Sequence, residues 1–296
     1  AVEWDATTGN DFVPTIVCLR VRQSIVQQLA SLNDVPRLQI QIKQFTTRKD
    51  TDNVCVELGN EEQRANGFIL AGAHADGVPE GPGIVDNGSG TAALLAIAER
   101  FIDGDYIRDA KQAVRFCWWA AEEIGLLGSR FYVRHYEETY GRAITDDVVL
   151  ALNFDMLASP NMIPGIYDAK SASNPDTHKG NLVVQEALEG IFKKLKGDYK
   201  IIPMSQAGGS DYFAFQQHGV PVGAIASGAT ELKTDEERVR FGGVANAQLD
   251  PCYHQACDTI NQISGLNQEL YELLTNAAAG VVQEFVETPK LRELMQ

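Results

Sequence analysis

The sequence predicts an α/β protein: one domain with a mixed, mostly parallel β-sheet, flanked by helices on both faces as an α/β/α sandwich. Three observations predict it. Apolar runs of strand length alternate with longer segments of helical periodicity, the order that builds βαβ units. The central runs GFILAGA, AVRFCWWAA and VVLALNF are apolar throughout, as strands covered on both sides must be. No repeat, Pro- or Ser-rich linker or shift of composition divides residues 1–296, so a single domain is expected over the whole chain.

The elements follow in order. Thr15–Ser31 has helical spacing and opens just after Pro14. RLQIQIKQF alternates Leu38, Ile40 and Ile42, and NVCVELG alternates Val54, Val56 and Leu58; both read as strands. GFILAGA is a buried strand that runs into His74. Ser89–Phe101 reads as a helix with Ser89 as its cap. AVRFCWWAA is a buried strand ending at Glu122, and Ile124–Tyr140 reads as the helix after it. VVLALNF ends at Asp155. Asn181–Leu195 is an amphipathic helix, GVPVGAIAS a strand, and Leu266–Val286 a last helix capped by Ser264 or Asn267. The stretches Pro160–Lys179 and Thr230–Asp250 have no clear period, and irregular segments of that length commonly carry function.

Bulk properties exclude several classes. The chain has 296 residues, and its 44% hydrophobic content suffices for a sizeable core. No apolar run reaches membrane-spanning length, so no membrane partner is expected. The net charge of -15, from 25 basic and 40 acidic residues, argues against a nucleic-acid partner. Of the five cysteines, Cys252 and Cys257 form a close pair. Such a pair is a small disulfide loop or a pair of metal ligands. No second close pair exists to complete a zinc knuckle, so a disulfide is the better reading, and it places the chain in an oxidising compartment. Cys117 lies mid-strand and reads as a buried thiol. No signal peptide opens the chain at Ala1; a secreted, mature form and a monomer are expected.

The functional reading comes from the strand ends. Ligands of open α/β sheets bind at the carboxyl ends of the strands. Three apolar strands here end in His74, in Glu122–Glu123 and in Asp155; Asp86 closes the Gly-rich loop after the first, and His254 sits between the paired cysteines. Each alone has an ordinary structural explanation: a cap, a turn or a solvated helix start. Together they converge on one edge of the sheet. Amide hydrolysis needs a polarised carbonyl, a nucleophile usable at neutral pH and a proton shuttle. Two metal ions supply the first two with one bridging carboxylate and two further ligands each. One carboxylate left off the metals serves as the base.

HAD, GPGIVDNGSG, WWAAEEIGLLGS, LNFDM, GGSDYFAF and CYHQACD resemble, in order and spacing, the secreted two-zinc aminopeptidases of peptidase family 28, of the bacterial and fungal leucine aminopeptidase type. The likeness runs from Val54 to Ile263. It implies removal of N-terminal residues from peptides with a free amine, with two zinc ions per chain bridged by Asp86. His74 and Asp155 would complete one zinc site, Glu123 and His254 the other. Glu122 would be the general base, Tyr253 would help stabilise the oxyanion, and Asp76 would orient His74. The family's peptide bond after the bridging aspartate is often cis, and its disulfide falls at Cys252–Cys257. Met156, Ile225, Ala226 and Tyr253 are the candidate walls of a pocket for Leu, Met or Phe. Gly209 and Ala226 stand where a bacterial relative carries an arginine and an aromatic.

Rival readings are a single-zinc glutaminyl cyclase on the same fold, a two-zinc carboxypeptidase or deacylase, and a non-catalytic binding protein on a peptidase scaffold. The second needs an inserted dimerisation domain, for which the motifs between Asp155 and His254 leave no room. The third would have lost its ligands. Asn87-Gly88-Ser89 is a glycosylation sequon at the proposed centre and is expected to stay unmodified.

Overall fold

The computed structural model describes residues 23–31, 49–104, 106–205, 209–263 and 266–296. The chain falls into two compact units, Ala1–Asp50 and Thr51–Gln296. In the first, helix α1 (Gln23–Ala30) takes up the end of the helix expected from Thr15. The strand expected around Leu38–Ile42, and Cys18, lie outside the described residues.

The second unit carries the sheet. Its elements are β1 (Val54–Leu58), α2 (Glu61–Ala65), β2 (Phe68–His74), α3 (Gly88–Asp103), β3 (Ala113–Trp119), α4 (Leu127–Arg134), α5 (Tyr136–Tyr140), α6 (Ile144–Asp147) and β4 (Val148–Phe154). There follow β5 (Gly165–Tyr167), α7 (His178–Lys194), β6 (Lys200–Ile202), α8 (Tyr212–Gln217), β7 (Val222–Ala226), α9 (Asp235–Phe241), α10 (Leu266–Glu287) and α11 (Leu291–Met295). Among the described residues, seven strands lie in the order β1-β3-β2-β4-β7-β5-β6. β2, β3, β4 and β7 are mutually parallel; β1 is antiparallel to β3, and β5 to β7. The expected mixed, mostly parallel sheet with helices on both faces is what forms.

Side-chain alternation builds a core on each face. Ile69, Ala71 and Ala73 of β2 join Leu94 of α3, Leu188 of α7 and Val281 of α10. Phe68 and Leu70 point the other way, with Val133 of α4 and Phe215 of α8. Every residue of β2 and β4 is buried, which is why neither strand shows a polar–apolar period.

Gly72 of β2 is required by its neighbour. A Cβ there would lie 2.3 Å from Nε1 of Trp119. Trp119 cannot retreat, because it is buried against the rings of Tyr132 and Phe215. Gly72→Ala is therefore expected to cost about 1–3 kcal/mol of stability. Its denaturant midpoint would fall below wild type; an unchanged midpoint would contradict this packing.

Several local expectations change. Asn87, not Ser89, caps α3, its side chain accepting from the Gly90 amide at 2.9 Å. Ser89 instead donates to the Val85 carbonyl and accepts from the Leu157 amide. The helix expected from Ile124 begins only at Leu127, since Gly125 and Leu126 both have left-handed φ values of 115° and 59°. It breaks again at His135, between α4 and α5. The irregular stretches hold β5, the start of α7 and α9. For α10, Ser264 lies outside the described residues. Asn267 sits inside the first turn, where it donates to the Ala158 and Gln262 carbonyls.

Cys117 is not a thiol. It is bonded to Cys55, directly opposite on the antiparallel neighbour, with Cα atoms 4.2 Å apart. The register of β1 on β3 makes the pair, and no single strand reveals it. Cys252 and Cys257 form the expected second disulfide.

Candidate metal centre

Because β2, β3 and β4 are parallel, their carboxyl ends share one edge. His74 is the last residue of β2. Asp155 follows β4 directly, Glu122 and Glu123 lie in the turn after β3, and Asp86 lies just before α3. His254 comes to the same place in the turn closed by Cys252–Cys257. All six sequence-selected residues converge.

Their arrangement is two trios sharing one member. His74 Nε2 lies 3.2 Å from Asp86 Oδ1 and 3.2 Å from Asp155 Oδ1. His254 Nε2 lies 3.1 Å from Asp86 Oδ2 and 2.9 Å from Glu123 Oε2. The two oxygens of Asp86 thus face different histidines. Within each trio, His74–Asp86–Asp155 and Asp86–Glu123–His254, the donor atoms are all within 4.8 Å of one another. The bond Asp86–Asn87 is cis. Asn87 is buried and bonded to Phe154 and Gly90, so the sequon has no exposed amide to modify.

Buried polar contacts hold these groups. His74 Nδ1 is 3.0 Å from the main-chain oxygen of Asp76 and 3.5 Å from its carboxylate. With the proton on Nδ1, Nε2 keeps its lone pair toward the two carboxylates. The Asp76 carboxylate does more than orient His74. It accepts from the amides of Glu122 at 2.9 Å and Glu123 at 3.3 Å, linking the β2 end to the paired glutamates. Ser210 donates to Asp155 Oδ2 and accepts from Asn153. Asp258 accepts from the amides of Val85 at 2.7 Å and Asp86 at 3.1 Å, tying the His254 turn to Asp86. Sequence reasoning missed Asp258, although it ends the very motif CYHQACD; an acid after a cysteine gives no hint that its partners are amides far back in the chain. Ala121, Met156 and His254, each at or beside a site residue, have φ of 56°, 55° and 57°. Left-handed backbone at non-glycine residues is costly and clusters at functional sites.

The electrostatics show the crowding. Burial, followed by repulsion from Asp155, pushes Glu122 up to about 9. Burial and then Asp86 push Glu123 up to about 8. Asp86 is raised as well, first by burial. Burial alone would lower His74, but Asp155 and its neighbours outweigh it and hold the imidazole well above its usual value. His74 in turn overcomes burial to keep Asp155 low. Glu123 Oε1 is buried without a hydrogen-bond partner, and His254 Nε2, although close to two carboxylate oxygens, makes no aligned hydrogen bond to either. Orphaned acceptors, crowded carboxylates and imidazole nitrogens are the donor set of a divalent cation of borderline softness such as zinc. The residues fit that group.

Beside the trios opens a cavity of about 550 Å³. Met156, Ile163, Met204, Ala226 and Leu249 give it apolar walls, Glu122 and Tyr253 line it near the trios, and Lys200, Glu231 and Glu237 contribute charge. Gly209 also lines it. Ile225 does not, contrary to expectation: it is Ala226's neighbour on β7, so it points to the opposite face and packs in the core. Tyr253 stacks on His254 with ring centroids 3.8 Å apart.

A family model described as Peptidase family M28 matches residues 53–277. Leucine aminopeptidase 2 of Trichophyton rubrum is 38% identical over 228 residues, covering 76% of this chain and 43% of that protein. An aminopeptidase of Pseudomonas aeruginosa is 34% identical over 256 residues, 84% of this chain and 44% of that protein. The chain thus spans less than half the length of these curated relatives. In fold it is similar to a zinc aminopeptidase from Bacillus subtilis, with a TM-score of 0.60 at 24% identity over 80% of this chain and 50% of that one. It is similar also to a glutaminyl cyclase from an Acidobacteriales bacterium, with a TM-score of 0.56 at 18% identity over 79% of this chain and 73% of that one. Matched over residues 53–277, with two histidine–carboxylate trios joined through Asp86, the chain belongs to peptidase family M28.

Proposed function

We propose that the chain is the peptidase domain of a secreted, monomeric aminopeptidase that holds two zinc ions and removes large hydrophobic residues, Leu-like, from peptide N-termini. One observation carries this reading: Asp86 turns one carboxylate oxygen to each of two histidine–carboxylate trios. His74, Asp86 and Asp155 would hold one ion, Asp86, Glu123 and His254 the other. When bound, the ions polarise the scissile carbonyl and make water a nucleophile at neutral pH.

The remaining work falls to the chain. Glu122 lines the cavity and belongs to neither trio; it takes the proton of the attacking water and returns it to the leaving amine. The Tyr253 hydroxyl donates to the carbonyl oxygen as charge develops there. The substrate ammonium sits against Glu122 and Asp155, which makes a free N-terminus a requirement. The apolar walls from Met156 to Leu249 receive the first side chain. Two disulfides fit an oxidising, extracellular setting, and among the described residues no helix is long and apolar enough to cross a membrane.

A panel of aminoacyl-p-nitroanilides tests this reading. Leu, Met and Phe derivatives should be cleaved with kcat/KM above that of Asp or Gly derivatives, and N-acetyl-Leu should be refused. Equal cleavage of the acetylated substrate, or conversion of N-terminal Gln to pyroglutamate with no peptide hydrolysis, would overturn it.

A further inference from the structure

Glu122 and Glu123 sit in a loop, Ala120–Gly128, that leaves β3 and returns to start α4. Two backbone bonds close its neck: Gly128 N–H to Ala120 O at 2.9 Å and Leu127 N–H to Ala121 O at 3.0 Å. A further fastening comes from outside the loop. Asn53 precedes β1, and its amide lies across the neck. Oδ1 accepts from the Ala120 amide at 3.0 Å, and Nδ2 donates to the Gly128 carbonyl at 2.8 Å. The β1–β3 ladder ends at the pair Val54 and Trp118. Beyond it the Asn53 side chain acts as a substitute peptide group, with one donor and one acceptor. The approach is close: a Cβ on residue 128 would lie 2.3 Å from both Ala120 O and Asn53 Oδ1.

Within the loop, Gly125 and Leu126 donate to the Glu122 carbonyl at 2.9 and 2.8 Å, and Leu126 is buried in the core. Ile124 at its tip is 66% exposed, so core packing reaches the loop at Leu126 but does not fix its tip. Ala121 and Leu126 are left-handed, a backbone that persists in non-glycine residues only when their surroundings over-determine it. Asp76 grips the glutamate amides from the β2 side; Asn53 grips the neck from the β1 side.

We propose that Asn53 is a positioning residue for the two-glutamate loop, its amide setting where Glu122 and Glu123 stand relative to the two histidines. This rests on Glu122 as the base and Glu123 as a metal ligand. A misplacement on the order of 1 Å costs roughly 10²-fold in rate. The donor to Gly128 and the acceptor for Ala120 are both needed, so Asn53→Asp, which keeps only the acceptor, should fail along with Asn53→Ala.

The test compares Asn53→Ala, Asn53→Asp and Glu122→Gln in the full chain. Both Asn53 variants should lose kcat by about 10²-fold with KM little changed. Both should yield zinc to a chelator sooner than wild type. Their amide hydrogen exchange should rise severalfold in the peptide covering 120–128 and stay at wild-type levels in β2 and β4. Wild-type exchange and zinc retention in both variants would overturn the proposal. So would faster exchange throughout the sheet, which marks a merely structural role. An active Glu122→Gln would sink the base assignment instead, and exchange with zinc retention would still decide the role of Asn53.

Discussion

Glu122→Gln is expected to keep the fold and the full metal content while lowering kcat by about 10²–10⁴-fold, the usual contribution of a positioned general base. Glutamine has the shape of glutamate but cannot take a proton at neutral pH. The change spares the support around it, because Asp76 grips the backbone amide of Glu122, not its carboxylate. It also spares both trios, to which Glu122 does not belong. Glu123→Gln should behave differently, since Glu123 Oε2 faces His254 at 2.9 Å: its first effect should be weaker metal retention. Zinc content per chain and steady-state kinetics on Leu-p-nitroanilide separate the two. A fully active Glu122→Gln would remove the base from the mechanism.

Chelation should bring the second large effect: release of two zinc ions per chain, loss of activity, and restoration of both by added zinc. Stability should fall too, because a ligand that binds only the folded state stabilises it by mass action. The metal-free protein should moreover lose stability as pH rises. Glu122 and Glu123 are pushed up to about 9 and about 8, and Asp211, chiefly by burial, up to about 7. A carboxyl whose folded value is raised contributes stability that is complete below its unfolded value, near pH 4, and is lost as pH rises through the folded value. His74 is raised as well and acts with the same sign. The lowered Asp76 and Asp155 lose their contribution only in acid, below this window. Between about pH 5 and 9 the thermal midpoint of the metal-free form should therefore decline, and zinc should flatten that decline by neutralising the cluster. A midpoint that climbs with pH in the chelated protein, or activity indifferent to chelation, would contradict this account.

Much of the centre was legible because chemistry and periodicity met at the same residues. Apolar runs too continuous for exposed strands ended in His74, beside Glu122 and at Asp155, and a parallel arrangement sends such ends to one edge. His254 was legible from its place between paired cysteines. Other features had no local signature. β5 and β6 have three residues each, too few for a period. Cys55–Cys117 depends on which strand borders β3, and Asp258 on amides of Val85 and Asp86 that only the fold brings near. Ile225 was misplaced by one position on a strand, which on a pleated sheet is the difference between cavity and core.

The six convergent residues are scattered from β2 to the turn before α10, and neither trio can be gathered from one contiguous stretch. No short stretch of nascent chain therefore offers a cation a complete trio. The His74–Asp86–Asp155 trio must wait until β2 and β4 are aligned, and the Asp86–Glu123–His254 trio until the turn after β3 is in place and the Cys252–Cys257 turn has docked, so full loading comes late. The bound-zinc fraction of a preparation would then count correctly folded molecules, and a chain with a misassembled sheet would emerge as an empty one.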